Sequence, residues 1–399
     1  MKLAYFVLPH LGGTYTVFKN LRNGLAGYGI DLQWLGVCSE GYTLSDVLAP
    51  EASFGALVPV PADLTESACG QRVATAIGNK GFDGIIVNVL GDQIQTNIAR
   101  YLPENIIRLM VVHNITPGTY AAAKAVRDHI HATICVAERS RIDLIERYGF
   151  PRARIHTIFN AVEVSSFEHR QRLPRSVTAP IRLLFAGRIE DASKGVFWLR
   201  EILDGLPETI TLTVVGDGPD MAKLNRRLGT HKDRVVFAGA VPASLVSGYM
   251  AEHDILIMPS RYEGLPMTLI EAMAAGCVPV VSEIKGVTDT IVEDGLNGML
   301  FPVGNYMAAS RAIMKLDADR ELLRSMSRSA RETVTNHHGV QEMAERYNDV
   351  LNSLKVGRPK LAPPLDIEAW EIPRGLQPGL RTYIPLPLKN WLRVMRERC

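Results

Sequence analysis

Two carboxylates and two cations stand at spacings that chemistry can use. Glu263 and Glu271 flank Pro266 in "RYEGLPMTLIEAMAAGCVPVV", residues 261–281. Glu263 precedes an apolar helical pattern, whereas Glu271 falls inside it among Leu269, Ile270, Ala272 and Met273. Pro266 suits the first helical position, where its missing N–H is no loss. The amides of Leu265, Met267 and Thr268 then lie at the helix start, where free N–H groups and the helix dipole favour an anion. Glu263 is placed to accept hydrogen bonds from ligand hydroxyls and to oppose positive charge developing on a carbon. A buried carboxylate at 271 needs partners, and two adjacent ribose hydroxyls would supply them. Partial exposure or nearby basic groups would satisfy Glu271 equally, and Glu263 also reads as an ordinary acid at a helix start. Gly276 is suited to stop the helix before "CVPVV".

The elements that must carry these groups alternate. Strand patterns at Lys2–Leu8, Ile30–Val37, Asp83–Leu90, Ile106–Val112, Ala132–Ala137 and Arg154–Phe159 are interleaved with helical stretches. That rhythm predicts a mostly parallel sheet covered on both faces. It breaks at Glu168–Pro180, polar and basic with two prolines, and restarts with "IRLLFAG", "ITLTVVG", "RVVFAG" and "DILIMPS". Two successive open α/β domains follow, with ligands expected beyond the carboxyl ends of their strands, at edges able to face each other across a cleft. We expect an N-terminal domain over 1–166, a linker over 167–180, a C-terminal domain over 181–354 and a tail over 355–399. In the tail, Leu388, Trp391, Leu392 and Met395 share a helical face amid Lys389, Arg393, Arg396 and Arg398. This reads as a helix packed on its own protein or a partner, as an interfacial membrane helix, or as disorder.

Composition narrows the function classes. At 399 residues the chain exceeds one ordinary core, and 47% hydrophobic content suffices for two. A net charge of +2 gives no argument for a nucleic-acid partner. Five scattered cysteines argue against a disulfide framework or a cysteine-rich zinc site and fit a reducing compartment. The apolar N-terminus ends in His10 and two glycines and reads as a buried strand rather than a signal peptide. No run of 18 uninterrupted apolar residues predicts a spanning helix.

The stretch "PSRYEGLPMTLIEAMAAGCVPVVS", after "FAGRIEDASKG" and "VVGDGP", resembles the E-x7-E signature of the family 4 retaining glycosyltransferases, enzymes of the GT-B fold. The resemblance covers roughly residues 2–350 and is strongest over 183–301. It implies an α/β protein with two Rossmann-like domains facing across a deep cleft, the first binding acceptor and the second nucleotide-sugar. It also implies retaining transfer of a sugar from a nucleoside-diphosphate donor, UDP by default, to an acceptor hydroxyl, by same-face attack without a covalent nucleophile. Glu263 then lies at the donor sugar, amides around Gly264, Leu265, Pro266 and Met267 meet sugar and phosphate, and Glu271 holds the ribose. Arg188 and Lys194, otherwise surface charges, bind the diphosphate in place of a metal, so no metal or other cofactor is expected. Gly216 and Gly218 let backbone approach the nucleotide or serve only a turn, and Val236–Val241 line the base. In the first domain, Gly12 and Gly13 of "PHLGGTY" lie near diphosphate and acceptor, and His113 of "VVHNI" hydrogen-bonds the sugar. Asn114 stands where the family often has aspartate. Lys19 and Arg22 read as a solvated helix face or as an attractor of a phosphate-bearing acceptor.

Partners implied are the nucleotide-sugar donor and a glycan, lipid-linked or small-molecule acceptor, in the cytoplasm, with peripheral membrane contact open. A GT-B nucleotide-sugar hydrolase or epimerase, and a non-catalytic sugar-nucleotide-binding protein, are the alternatives.

Overall fold

In the computed structural model, which describes residues 1–10, 12–89, 92–168, 178–379 and 383–398, two parallel sheets organise the chain. One unit comprises Met1–Asn160 and Val340–Tyr383, the other Ala161–Gly339 and Ile384–Cys399.

The first unit carries β1 (Lys2–Tyr5), β2 (Asp31–Ser39), β3 (Gly55–Val60), β4 (Gly84–Asn88), β5 (Ile107–Val112), β6 (Ala132–Cys135) and β7 (Ile155–Thr157). Their order is β3-β2-β1-β4-β5-β6-β7, with every pairing parallel. Chain direction across the sheet reverses between β1 and β4, the switch point where such sheets take ligands. β4 and β5 are buried along their whole length, as strands covered on both faces must be. Helix Gly13–Ala26 follows β1 and buries Tyr15, Val17, Phe18, Leu21 and Leu25. Its Gly24 lets helix Val340–Val356 approach closely: a Cβ there would lie 2.5 Å from the Ala344 Cβ. Val340–Val356 therefore belongs to the first unit, not to the second domain expected over 181–354. Its apolar stripe Met343, Ala344, Tyr347, Leu351 and Leu354 is buried there. The segment after it stays on the same unit. Trp370 stacks on Tyr101 with centroids 4.5 Å apart, and Leu365 donates its N–H to the Arg100 carbonyl.

The second unit carries β8 (Arg182–Ala186), β9 (Thr211–Val215), β10 (Val235–Gly239), β11 (Ile255–Met258), β12 (Val278–Glu283) and β13 (Met299–Pro302). They run parallel in the order β10-β9-β8-β11-β12-β13, with the switch point between β8 and β11. One face packs Leu183, Phe185, Leu212, Ile255 and Val280 against surrounding helices; the other packs Leu184, Val215 and Leu256 against Ala272 of helix Met267–Ala274 and its C-cap Ala275. The small residues of "EAMAAG" thus set that helix close to the sheet. Gly276, at φ 75°, ends it, and Ser327 and Arg331 bond the last carbonyls. Most of the expected linker, residues 169–177, lies outside the described residues.

Candidate active site

In the second unit the groups collect beyond β8 and β11. Past β8, Gly187 turns the chain at φ 149°. The next strand end presses against it: a Cβ on Gly216 would lie 1.9 Å from the Gly187 carbonyl oxygen, and one on Gly218 would lie 2.4 Å from that of Ile189. These glycines let neighbouring loops approach closely.

Arg188 projects outward, its guanidinium 3.8 Å from the Glu190 carboxylate. Its side chain is 68% exposed, so it can reach a ligand at little desolvation cost. Lys194 ends the short helix Asp191–Lys194, and its Nζ donates to Glu263 Oε1 at 2.6 Å. Ser260 Oγ donates to the same oxygen at 2.6 Å. Glu263 is only 8% exposed, and this cation and hydroxyl stabilise its charge there.

A buried frame that the sequence reading passed over fixes Lys194. Arg261 Nη2 donates to Asp191 Oδ2 at 2.8 Å, and Nε donates to the Asp191 carbonyl at 2.9 Å. The guanidinium lies 3.7 Å over the Trp198 ring, a stack suited to arginine's planar charge. Asp191 Oδ1 accepts the Phe197 amide, and Asp220 Oδ2 accepts the Asp191 amide. Arg261 and Asp191 carried a signal, since each stands within three residues of an expected site residue.

Pro266 is the N-cap of helix Met267–Ala274, not its first residue as expected; its ψ of 116° is extended. A proline's ring fixes φ alone, so it fits either place. Gly264, Leu265 and Met267 surround this start, the last two buried. Glu271 sits one turn into the helix, half-buried, with no donor on its carboxylate among the described residues. Burial pushes its pKa up to about 7. Ala238 and Val241 pack on the helix side of the sheet, whereas Val236 is exposed. The segment expected to line a base therefore splits between the two.

In the first unit, Gly12 caps helix Gly13–Ala26 without a side-chain bond, and a Cβ there would clash with the His10 ring at 2.6 Å. His113 follows β5 directly. Its Nε2 lies 2.7 Å from Asn88 Oδ1, and Asn88 Nδ2 donates to the Phe6 carbonyl at 2.7 Å. That second bond fixes the Asn88 amide, so Nε2–H is the donor and Nδ1 is left as an acceptor. Burial holds the His113 pKa down to about 4, keeping the ring neutral. Asn114 turns back to accept the Ile115 amide and gives His113 no support. Lys19 is paired with Glu51, and Arg22 stacks over Phe54, so neither is a simple solvated charge. Among the described residues no group of three or more His, Cys, Asp or Glu side chains could hold a metal ion. Among the described residues, Cys38, Cys69, Cys135 and Cys277 form no disulfide.

The family described as "Glycosyl transferases group 1" matches residues 180–319. An exopolysaccharide phosphotransferase of Streptomyces coelicolor is 27% identical over 303 residues, 73% of this chain and 30% of its own. The alpha-D-kanosaminyltransferase of Streptomyces kanamyceticus is 26% identical over 251 residues, 59% of this chain and 64% of its own. The chain spans less than two thirds of the length of these curated relatives. A crystal structure of Anabaena HepE in complex with UDP and glucose superposes with a TM-score of 0.73 at 17% identity, covering 89% of this chain and all of that one. With two Rossmann-like units of the GT-B fold and a second unit matched by group 1 glycosyl transferases, the chain is related to the glycosyltransferases.

Proposed function

We propose that the chain is a retaining glycosyltransferase that moves a sugar from a nucleoside-diphosphate donor, UDP favoured, to an acceptor hydroxyl. The observation that carries the reading is Glu271: a half-buried carboxylate without a partner among the described residues, just inside a helix whose approach holds Glu263, itself bonded by Lys194. Two adjacent ribose hydroxyls would satisfy both of its oxygens and favour its ionised form. The UDP in the Anabaena structure supports that choice of nucleotide.

The chemistry follows from the charges. The exposed Arg188 and the N–H groups of the first helical turn face the diphosphate. Lys194 exchanges its bond to Glu263 for a phosphate oxygen as charge develops on the leaving group. Glu263, thus released, accepts sugar hydroxyls and opposes positive charge at the anomeric carbon. The bond from that carbon to phosphate oxygen breaks, the acceptor oxygen bonds to the same face, and its proton passes to the departing phosphate. Glu271 is committed to ribose, so the paired carboxylates of a glycosidase do not apply. In the first unit, His113 offers Nδ1 as an acceptor to a sugar hydroxyl.

Turnover tests this reading. UDP-sugars are incubated with a panel of hydroxyl acceptors, and product stereochemistry is read by proton NMR. Acceptor-dependent formation of the retained anomer supports transfer. Donor consumption without acceptor points to a hydrolase or epimerase, and an inverted product excludes the same-face route.

A further inference from the structure

The terminal helix Leu386–Arg398 lies on the second unit with its faces reversed from the usual arrangement. Arg393 Nη1 donates to the Ala192 carbonyl at 2.9 Å, and its guanidinium sits 4.3 Å over the Tyr262 ring. Arg398 Nε donates to the Val303 carbonyl at 3.0 Å. Arg393 lies opposite the apolar stripe, so its anchors turn that stripe outward, while Arg398 pins one edge of it. Leu388, Trp391, Leu392 and Met395, spaced for one helical stripe, are 41–57% exposed, and no residue of the helix is buried. A surface helix ordinarily puts such a stripe inward, so this one needs an occupant.

Charge selects the occupant. Lys389, Arg393, Arg396 and Arg398 stand against one acid, Glu397, and at about 100° per residue Arg396 and Arg398 flank the stripe on either side. A second copy meeting this face across a two-fold axis would set basic rim against basic rim, which disfavours it. An apolar stripe with a tryptophan between arginines suits an interface where hydrocarbon gives way to negative charge. Among the described residues no helix is long and apolar enough to cross a membrane, so the contact would lie along the surface.

We propose that Leu386–Arg398 docks by its apolar stripe on a lipid bilayer bearing anionic head groups. Trp391, Leu392 and Met395 enter the acyl boundary, and Arg396 at the edge of the stripe meets phosphates. The anchors through Arg393 hold the body of the second unit against that surface with the loop carrying Lys194 nearby. The proposal stands apart from the reaction assigned above.

Co-sedimentation of the full chain with vesicles tests it. Phosphatidylcholine vesicles containing a third phosphatidylglycerol should pellet the protein, and pure phosphatidylcholine should not. Leu388→Glu/Leu392→Glu should weaken pelleting about 10-fold or more, and Arg396→Glu should weaken it about 5-fold, with more loss in high salt. Both variants alter exposed positions, and unchanged circular dichroism and thermal melting would confirm the fold. Failure to pellet with the anionic vesicles, equal pelleting of the Leu388→Glu/Leu392→Glu variant, or equal pelleting with both vesicle types would overturn the proposal. A wild-type dimer in sedimentation velocity that the double variant abolishes would overturn it too, and would assign the stripe to a second copy.

Discussion

On the proposed reading, Glu271 trades stability for a ligand. Its folded pKa near 7 exceeds the ordinary 4.5, so the folded state holds the proton more tightly. Stability from this group is present below pH 4.5 and is lost as pH rises through 7. Replacing it with Gln should therefore raise stability at pH 8 by about 1–3 kcal/mol, measured by urea unfolding, while nucleotide affinity drops. His113 obeys the same burial with opposite sign. Asn88→Asp would put a carboxylate against Nε2, raising the His113 pKa from about 4. NMR titration of the ring should show that rise; an unchanged value would mean Asn88 does not face Nε2. Glu263 and Lys194 neutralise each other in the absence of ligand. Lys194→Ala should cost about 100-fold or more in kcat in the turnover assay, with KM little changed, since its proposed role falls on the leaving group.

At the scale of elements, legibility followed how local each signal was. Alternating strands and helices, the Gly276 stop and the apolar stripe of helix Gly13–Ala26 were all readable from short windows. β3 was not, because Pro59 interrupts a short strand that survives only at a sheet edge. β12 was hidden by Pro279, and β13 is four residues long. The Arg261–Asp191–Trp198 frame joins residues 70 apart, a separation that no spacing argument reaches. Asn88 was passed over for the same reason, lying 25 positions from His113. That frame gives a sharp prediction. Arg261→Ala strands the buried Asp191 carboxylate, and we expect a loss of about 3–5 kcal/mol in chemical denaturation together with a lower kcat. A loss below 1 kcal/mol would mean that the frame does not hold the loop.

For the whole molecule, the first unit is completed by Val340–Val356 from far along the chain. Truncation after Gly339 should therefore unfold the first unit and leave the second, as hydrogen exchange would report. The first unit also stores acid sensitivity. Burial holds His131 down to about 4, where its Nδ1 accepts the Arg108 amide, and His113 lies equally low. Unfolded histidines take protons near 6.5, so stability from these rings is full above that pH and falls as pH drops towards 4. His131→Asn keeps an acceptor for Arg108 and should flatten that dependence in urea midpoints between pH 7 and 5.

The central claim is that Glu271 awaits ribose, and binding calorimetry tests it most directly. UDP would be titrated into wild type and Glu271→Gln at pH 6, 7 and 8, in buffers of different ionisation enthalpy. The account predicts that wild type binds more tightly as pH rises through 7 and releases a proton on binding at pH 6. The variant should bind at least about 10-fold more weakly, with no pH dependence from this group, because a neutral amide loses the charge-assisted bonds. Equal affinity of the two proteins, with no proton released by wild type, would contradict the ribose assignment.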